Sequence, residues 1–147
     1  MNLKSILVST DFSTCSESAL AMATALARDS GAKLFIVHVE EIPLATGSAE
    51  YLYSVPEPAT AELKKLLSEV VPKDPNIPYE HHLLAGDPAE AIIRMAEQEN
   101  IDMIVIGSHG RTGLTRLLMG SVAEAIVRRA TCPVLTVKQA SKVPAAV

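Results

Sequence analysis

The chain has 147 residues, 13 Lys and Arg against 17 Asp and Glu, a net charge of −4, and only two Phe, three Tyr and no Trp. That length is one domain by the usual size rule, and such a domain buries about 70% of its unfolded surface without needing disulfides or a metal. The acidic balance and the scarcity of rings exclude a basic or base-stacking nucleic-acid face.

Two cysteines, Cys15 and Cys132, have neither metal-ligand spacing nor the density of a disulfide framework, so a reducing, cytoplasmic setting is expected. Met1-Asn2-Leu3-Lys4 leads straight into a strand, so no signal peptide is expected, and no apolar run approaches the length of a membrane span. A single domain is expected over 1–140, followed by a flexible tail over 141–147.

In chain order, Leu3–Ser9 carries Ile6-Leu7-Val8 and reads as the first strand. Ser13–Ser30 reads as a helix with Ala19, Leu20, Ala23, Leu26 and Ala27 at helical spacing and Gly31 as its C-terminal cap. Lys33–Val39 is the second strand. Residues 40–58, with Pro43, Gly47, Pro56 and Pro58, read as a loop whose length marks a functional or disordered segment. Ala59–Val71 is the second helix, with Leu63, Leu66, Leu67 and Val70 on one face, and Pro72–Pro78 is a turn region. Tyr79–Leu84 is the third strand. Asp87-Pro88-Ala89-Glu90 opens the third helix, with Asp as N-cap and Pro in the first turn, and this helix runs to about Glu99. Asp102–Ile106 is the fourth strand, Ser121–Ala130 the fourth helix and Pro133–Val137 the fifth strand. Strands alternating with helices predict an α/β fold, a parallel sheet covered on both faces by right-handed crossovers.

The chemistry concentrates between the fourth strand and the fourth helix. Gly107-Ser108-His109-Gly110 follows the strand, and Gly120-Ser121 precedes the helix, where Ser121-Val122-Ala123-Glu124 has the pattern of a capping box. Glycines let main-chain N–H groups approach an anion, and a helix start adds unpaired donors and a positive dipole end. The spacing is neither a Walker A loop, since no Lys follows the closing glycine, nor G-x-G-x-x-G. If the first and fourth strands are neighbours, Ser9-Thr10-Asp11-Phe12-Ser13 faces this loop across one crevice.

Gly107-x2-Gly110-x9-Gly120-Ser121 resembles the ATP-binding signature of universal stress proteins. Ile6-Leu7-Val8 with Asp11-Phe12-Ser13, Gly86-Asp87-Pro88 and Pro133-Val134-Leu135-Thr136-Val137 extend the resemblance over essentially the whole chain. The resemblance implies a five-stranded parallel sheet in order 3-2-1-4-5, Rossmann-like and of the adenine nucleotide alpha hydrolase type. It implies a homodimer paired through the last strand, and ATP (or ADP or AMP), with Mg²⁺, as ligand. Carried over by position, Thr10 and Asp11 contact adenine and Val39 forms part of the adenine and ribose wall. Ile106 and Gly107 line the nucleoside, His109 and Gly110 flank the phosphate loop, and Gly120, Ser121 and Val122 meet the phosphates. Ser9 stands where many nucleotide binders of the family have proline.

Each residue also has a plainer reading. Each glycine can be a turn glycine, Ser121 only an N-cap bonded to the Glu124 amide, and Asp11 a cap for the first helix. Arg111 and Arg116 either screen β- or γ-phosphate or are solvated surface charges, and His109 either meets phosphate or stays in solvent. His81 and His82 are adjacent on a strand, point to opposite faces and cannot share a metal, so no side-chain metal site is expected. His38 reads as a strand residue with a satisfied imidazole, and Cys15 as a small half-buried side chain rather than an activated thiolate. The apolar run Leu117-Leu118-Met119 packs inward or against a partner, not on a membrane.

The resulting expectation is a nucleotide-responsive module in stress tolerance, acting through a population shift of the 107–121 loop. A slow ATP hydrolase and a dimeric interaction protein with an empty crevice are the alternatives. No convincing base beside the loop supports hydrolysis.

Overall fold

The computed structural model describes residues 2–41, 57–109 and 119–139. Its elements are β1 (Ser5–Ser9), α1 (Thr14–Ser30), β2 (Lys33–Glu40), α2 (Glu57–Ser68), β3 (Tyr79–Ala85), α3 (Pro88–Gln98), β4 (Met103–Gly107), α4 (Ser121–Arg129) and β5 (Val134–Val137). The strands form one sheet in the order β3-β2-β1-β4-β5, and every neighbouring pair is parallel. The expected alternation, strand order and parallel sense are all present.

Two apolar layers flank the sheet, and strand alternation decides which residue enters which. Ile6, Val8, Leu34, Ile36 and Val105 join Ala19, Ala23 and Ala27 of α1 and Leu67 of α2 on one face. Leu7, Phe35, Val37, Val39, Ile104 and Ile106 meet Ile92, Ile93 and Met95 of α3 and Ala123 and Ile126 of α4 on the other. The central strands are covered on both sides, which is why they read as unbroken apolar runs rather than alternating ones. Ala19, Ala23 and Ala27 are one turn apart and at most 2% exposed, so this helix lies close on the sheet.

Local signals set most boundaries. Ser13 caps α1 by accepting from the Ser16 amide, and Gly31 ends it at φ 78°, donating to Ala27 O at 2.8 Å. Asp87 caps α3, accepting from the Glu90 amide at 3.0 Å, with Pro88 as first helical residue. Gly86 before it has φ +119°, a conformation suited to glycine, and donates to Glu40 O at 3.0 Å, tying the ends of β3 and β2 together. α2 starts at Glu57, two residues before the expected Ala59, because Pro58 falls in the first turn, where a missing N–H costs nothing. It stops at Ser68 rather than Val71: Glu69 and Val70 donate to Leu66 O and Leu67 O, three residues back, and close the last turn tightly. The proposed tail and most of the 40–58 loop lie outside the described residues.

Asp102 fastens β4 to β1 at the amino edge of the sheet. Its Oδ2 accepts from Lys4 N at 2.9 Å, Ser5 N at 3.0 Å and Ser5 Oγ at 3.2 Å. The Lys4 main-chain bond holds its carboxyl below the usual range; desolvation opposes this and the Ser5 bonds add to it. A depressed folded value means the stabilisation is full above the ordinary carboxylate range and is lost as pH falls through the folded value. Asp102→Ala is expected to lower stability by about 1–2 kcal/mol at pH 7. Urea unfolding should show that deficit shrinking as pH falls below about 4, where the carboxyl of the unfolded chain takes up its proton, and vanishing once the folded carboxyl is protonated as well.

Candidate functional site

The strand order turns at β1 and β4, which pair in register Ile6↔Met103, Leu7↔Ile104 and Val8↔Val105. The connections leave β1 and β4 at the same edge of the sheet, with α1 on one face and α3 and α4 on the other. A crevice at such a switch point lies outside the carboxyl ends of the two strands. The condition on strand adjacency is therefore met.

The β4 side is built from main-chain bonds. Ser108 N donates to Val137 O at 2.9 Å, extending the β4–β5 ladder past Gly107. Ser108 O then accepts from Gly120 N at 2.6 Å, which pins the start of α4 beside the end of β4. Gly120, not Ser121, is the N-cap of α4, and among the described residues no side chain caps this helix. The capping box expected at Ser121–Glu124 is thus corrected. The Gly120–Ser108 bond pulls the helix start back by one residue, Ser121 becomes its first residue, and the Glu124 amide bonds Gly120 O at 2.9 Å. The first-turn amides of Ser121, Val122 and Ala123 have no intrahelical acceptors. Ser121 is exposed at the same helix end.

Gly107 is required by packing. A Cβ there would lie 2.9 Å from Cys15 Sγ and 3.2 Å from the Cys15 carbonyl carbon and oxygen. The first turn of α1 therefore rests directly on the end of β4. Cys15 itself is 3% exposed, buried rather than half-buried, and its thiol donates to Val137 O at 3.5 Å; it is a packing group. Ile106, Val39 and Val122 all belong to the apolar layer on the α3–α4 face, so the proposed nucleoside wall and the phosphate end share one side of the sheet.

The β1 side is a turn locked by its own polar groups. Thr10 is buried; its N–H donates to Val37 O at 2.8 Å and its carbonyl accepts from His38 Nδ1 at 2.7 Å. Thr10 Oγ1 accepts from Phe12 N at 3.0 Å and lies 3.2 Å from Ser16 Oγ. The polar groups of Thr10 are thus engaged within the protein. Asp11, half-buried, accepts from Ser13 N through Oδ1 at 3.0 Å, and the cap of α1 is Ser13 rather than Asp11.

His109 lies just past Ser108, its Nδ1 3.1 Å from Ser108 Oγ. Its Nε2 is shielded from solvent and has no hydrogen-bond partner among the described residues. Gly110, Arg111, Arg116 and Leu117-Leu118 lie outside the described residues, whereas Met119 is 36% exposed. His81 and His82 do diverge: His81 Nε2 is 2.7 Å from Val70 O, and His82 stacks on Phe35, across the sheet. The sequence reading missed Ser108, whose main chain links β5, β4 and α4. Its only local signal is its place between Gly107 and His109.

Gly107→Ala should destabilise the fold by about 1–3 kcal/mol, an overpacking cost. In a Cys15→Ala background, thermal unfolding is expected to recover only part of that loss. The Sγ contact is gone there, but the contacts with the Cys15 main chain remain.

Comparison with known proteins agrees with this architecture. The sequence model of the Universal stress protein family matches residues 2–138. A universal stress protein A homolog of Coxiella burnetii is 38% identical, over 93% of this chain and 97% of that one. A universal stress protein of Methanocaldococcus jannaschii is 34% identical, over 95% and 84%. The solved structure of another protein of that organism, MJ0577, superposes with a TM-score of 0.76 at 30% identity, covering 94% of this chain and 97% of that chain. A universal stress protein of Archaeoglobus fulgidus, solved in complex with dAMP, has a TM-score of 0.64 at 27% identity, over 94% and 100%. With its sheet order and a family match over 2–138, this chain belongs to the universal stress protein family.

Proposed function

We propose that this protein binds an adenine nucleotide, ATP foremost, at the carboxyl ends of β1 and β4, and serves as a nucleotide-responsive module in a stress response. The observation that carries the reading is the start of α4. α1 and α3 close their first turns with the side chains of Ser13 and Asp87, while α4 opens on a glycine with no side-chain cap. Its free first-turn amides and the dipole of α4 suit a phosphate group. The Archaeoglobus relative in complex with dAMP supports an adenine ligand.

In this reading Ser121 and Val122 present amides to the phosphates, and Ser121 adds a hydroxyl. Gly120 keeps the main chain open to the ligand, and Gly107 lines the nucleoside. Val39 and Ile106 form the nucleoside wall, and Thr10 and Asp11 border the base. His109, Gly110, Arg111 and Arg116 stand at the phosphate end. Among the described residues, no three His, Cys, Asp or Glu side chains cluster as metal ligands. In this reading a Mg²⁺ is held chiefly by phosphate oxygens and water, as that ion prefers, with no dedicated cage of side chains.

The nucleotide released by heating freshly purified protein is expected to be adenine-based and near-stoichiometric on ion-exchange chromatography. Ser121→Ala should weaken ATP binding about ten- to hundredfold by calorimetry, the loss of one hydrogen bond to a charged group. Protein that is empty as purified and binds nothing in millimolar Mg-ATP would overturn the reading.

The same reading includes a homodimer through β5. This strand ends the sheet, and Pro133 O and Val137 O accept from Ile104 N of β4 and from Ser108 N just beyond it. In a parallel ladder the alternate residues Val134 and Thr136 then turn their main-chain groups outward. Thr136→Pro removes one outward N–H and leaves the β4 ladder intact. Light scattering after size exclusion should find the wild type dimeric and this variant shifted to monomer. A wild-type monomer would reject the dimer.

A further inference from the structure

His38 belongs to β2, yet its ring serves the turn after β1. Its Nδ1 lies 2.7 Å from Thr10 O. A carbonyl can only accept, so Nδ1 carries the proton. The face of the same ring meets Phe12, with centroids 4.5 Å apart and planes tilted by 40°. Phe12 is one of two non-glycine residues with positive φ among the described residues, at 66°. For a bulky side chain that region is unfavourable and persists only where its surroundings hold it. The surroundings here are the His38 ring on one side and the Phe12 N–H to Thr10 Oγ1 bond on the other. Asp11 sits between these two fixed residues, with Oδ1 bound to Ser13 N.

We propose that His38 is a positioning residue for the candidate adenine site: its Nδ1–H bond to Thr10 O, with the ring contact on Phe12 secondary to it, holds the turn that sets where Asp11 stands. The proposal rests on the adenine reading for its functional consequence, and on the hydrogen bond and ring contact for its structural one. It assigns His38 no contact with nucleotide. Removing the donor leaves the carbonyl of a buried residue without its partner and releases the strained Phe12 backbone.

Two variants separate the two contacts. His38→Asn keeps a donor near the Nδ1 position and loses the ring; His38→Phe keeps a ring and loses the donor. Affinity for ATP and GTP would be measured by calorimetry at a temperature where circular dichroism shows every variant folded. Amide exchange at Phe12 and Ser13 would be followed by NMR. His38→Phe is expected to weaken ATP binding about tenfold, to narrow the preference for ATP over GTP, and to speed both amides about tenfold. His38→Asn should stay within about threefold of wild type in each. Should His38→Phe not fold, His38→Leu makes the same donor-free comparison.

Wild-type affinity, selectivity and exchange in His38→Phe would overturn the proposal, as would an Asn variant no better than the Phe one. A lowered melting temperature with unchanged affinity and selectivity would assign His38 to the fold alone and also overturn it. If the wild type binds no adenine nucleotide, the adenine reading fails. The exchange data then decide by themselves whether His38 holds the turn.

Discussion

The first turn of α1 lies against the last residue of β4 so closely that no side chain fits at position 107. From that contact the rest of the carboxyl edge is hung in sequence. Cys15, which fills the space, reaches Val137 of β5, and Val137 in turn receives Ser108 N. The carbonyl of Ser108 then takes the amide of Gly120 and fixes where α4 begins. Each bond in the series is worth about 1 kcal/mol net, but leaving any buried member unpaired costs more than the bond returns. The arrangement therefore forms as a set. The residue that allows it is the first glycine of the motif, which reads most easily as a ligand feature.

Of the helices that begin at this edge, α1, α3 and α4 are treated differently. α1 and α3 satisfy their first-turn amides with Ser13 and Asp87, and α4 does not. In a chain of net charge −4, main-chain dipoles at an uncapped helix end make a local positive region that composition would never suggest. Opposite it, the β1 turn is rigid by a different route, with Thr10 spending its N–H, carbonyl and hydroxyl on Val37, His38 and Phe12. At the switch point one side thus offers helix-start amides with no acceptor among the described residues, and the other is fixed by satisfied groups.

The parts legible in the sequence are those written locally. Ala19, Ala23 and Ala27, the Asp87-Pro88 start and the Gly31 stop each encode an element within a few residues, and all three are present. The strand order came through the family resemblance, since periodicity names strands but does not say which are neighbours. The misreading at Ser121 has a physical cause. A capping box is a local pattern, while the bond that displaced it joins Gly120 to Ser108, twelve residues earlier across a loop. His38 was read correctly as satisfied. Its partner, on another strand's loop, could not be read from a pattern confined to β2. Thr10, Asp11, Val39, Ile106, Gly107, Ser121 and Val122 stand at one end of the sheet; Gly110, Arg111 and Arg116 lie outside the described residues.

The placement of Cys15 has a consequence for reagents rather than ligands. Its thiol is sealed at the seam where α1, β4 and β5 meet, and Cys132 is half-buried, its own thiol pushed up by desolvation. An alkylating agent reaches Cys15 only when α1 lifts from the sheet, because attack needs an accessible thiolate. The labelling rate at Cys15 is then a built-in clock for local opening of that seam. It times, without any introduced probe, how often the α1 side of the crevice comes apart.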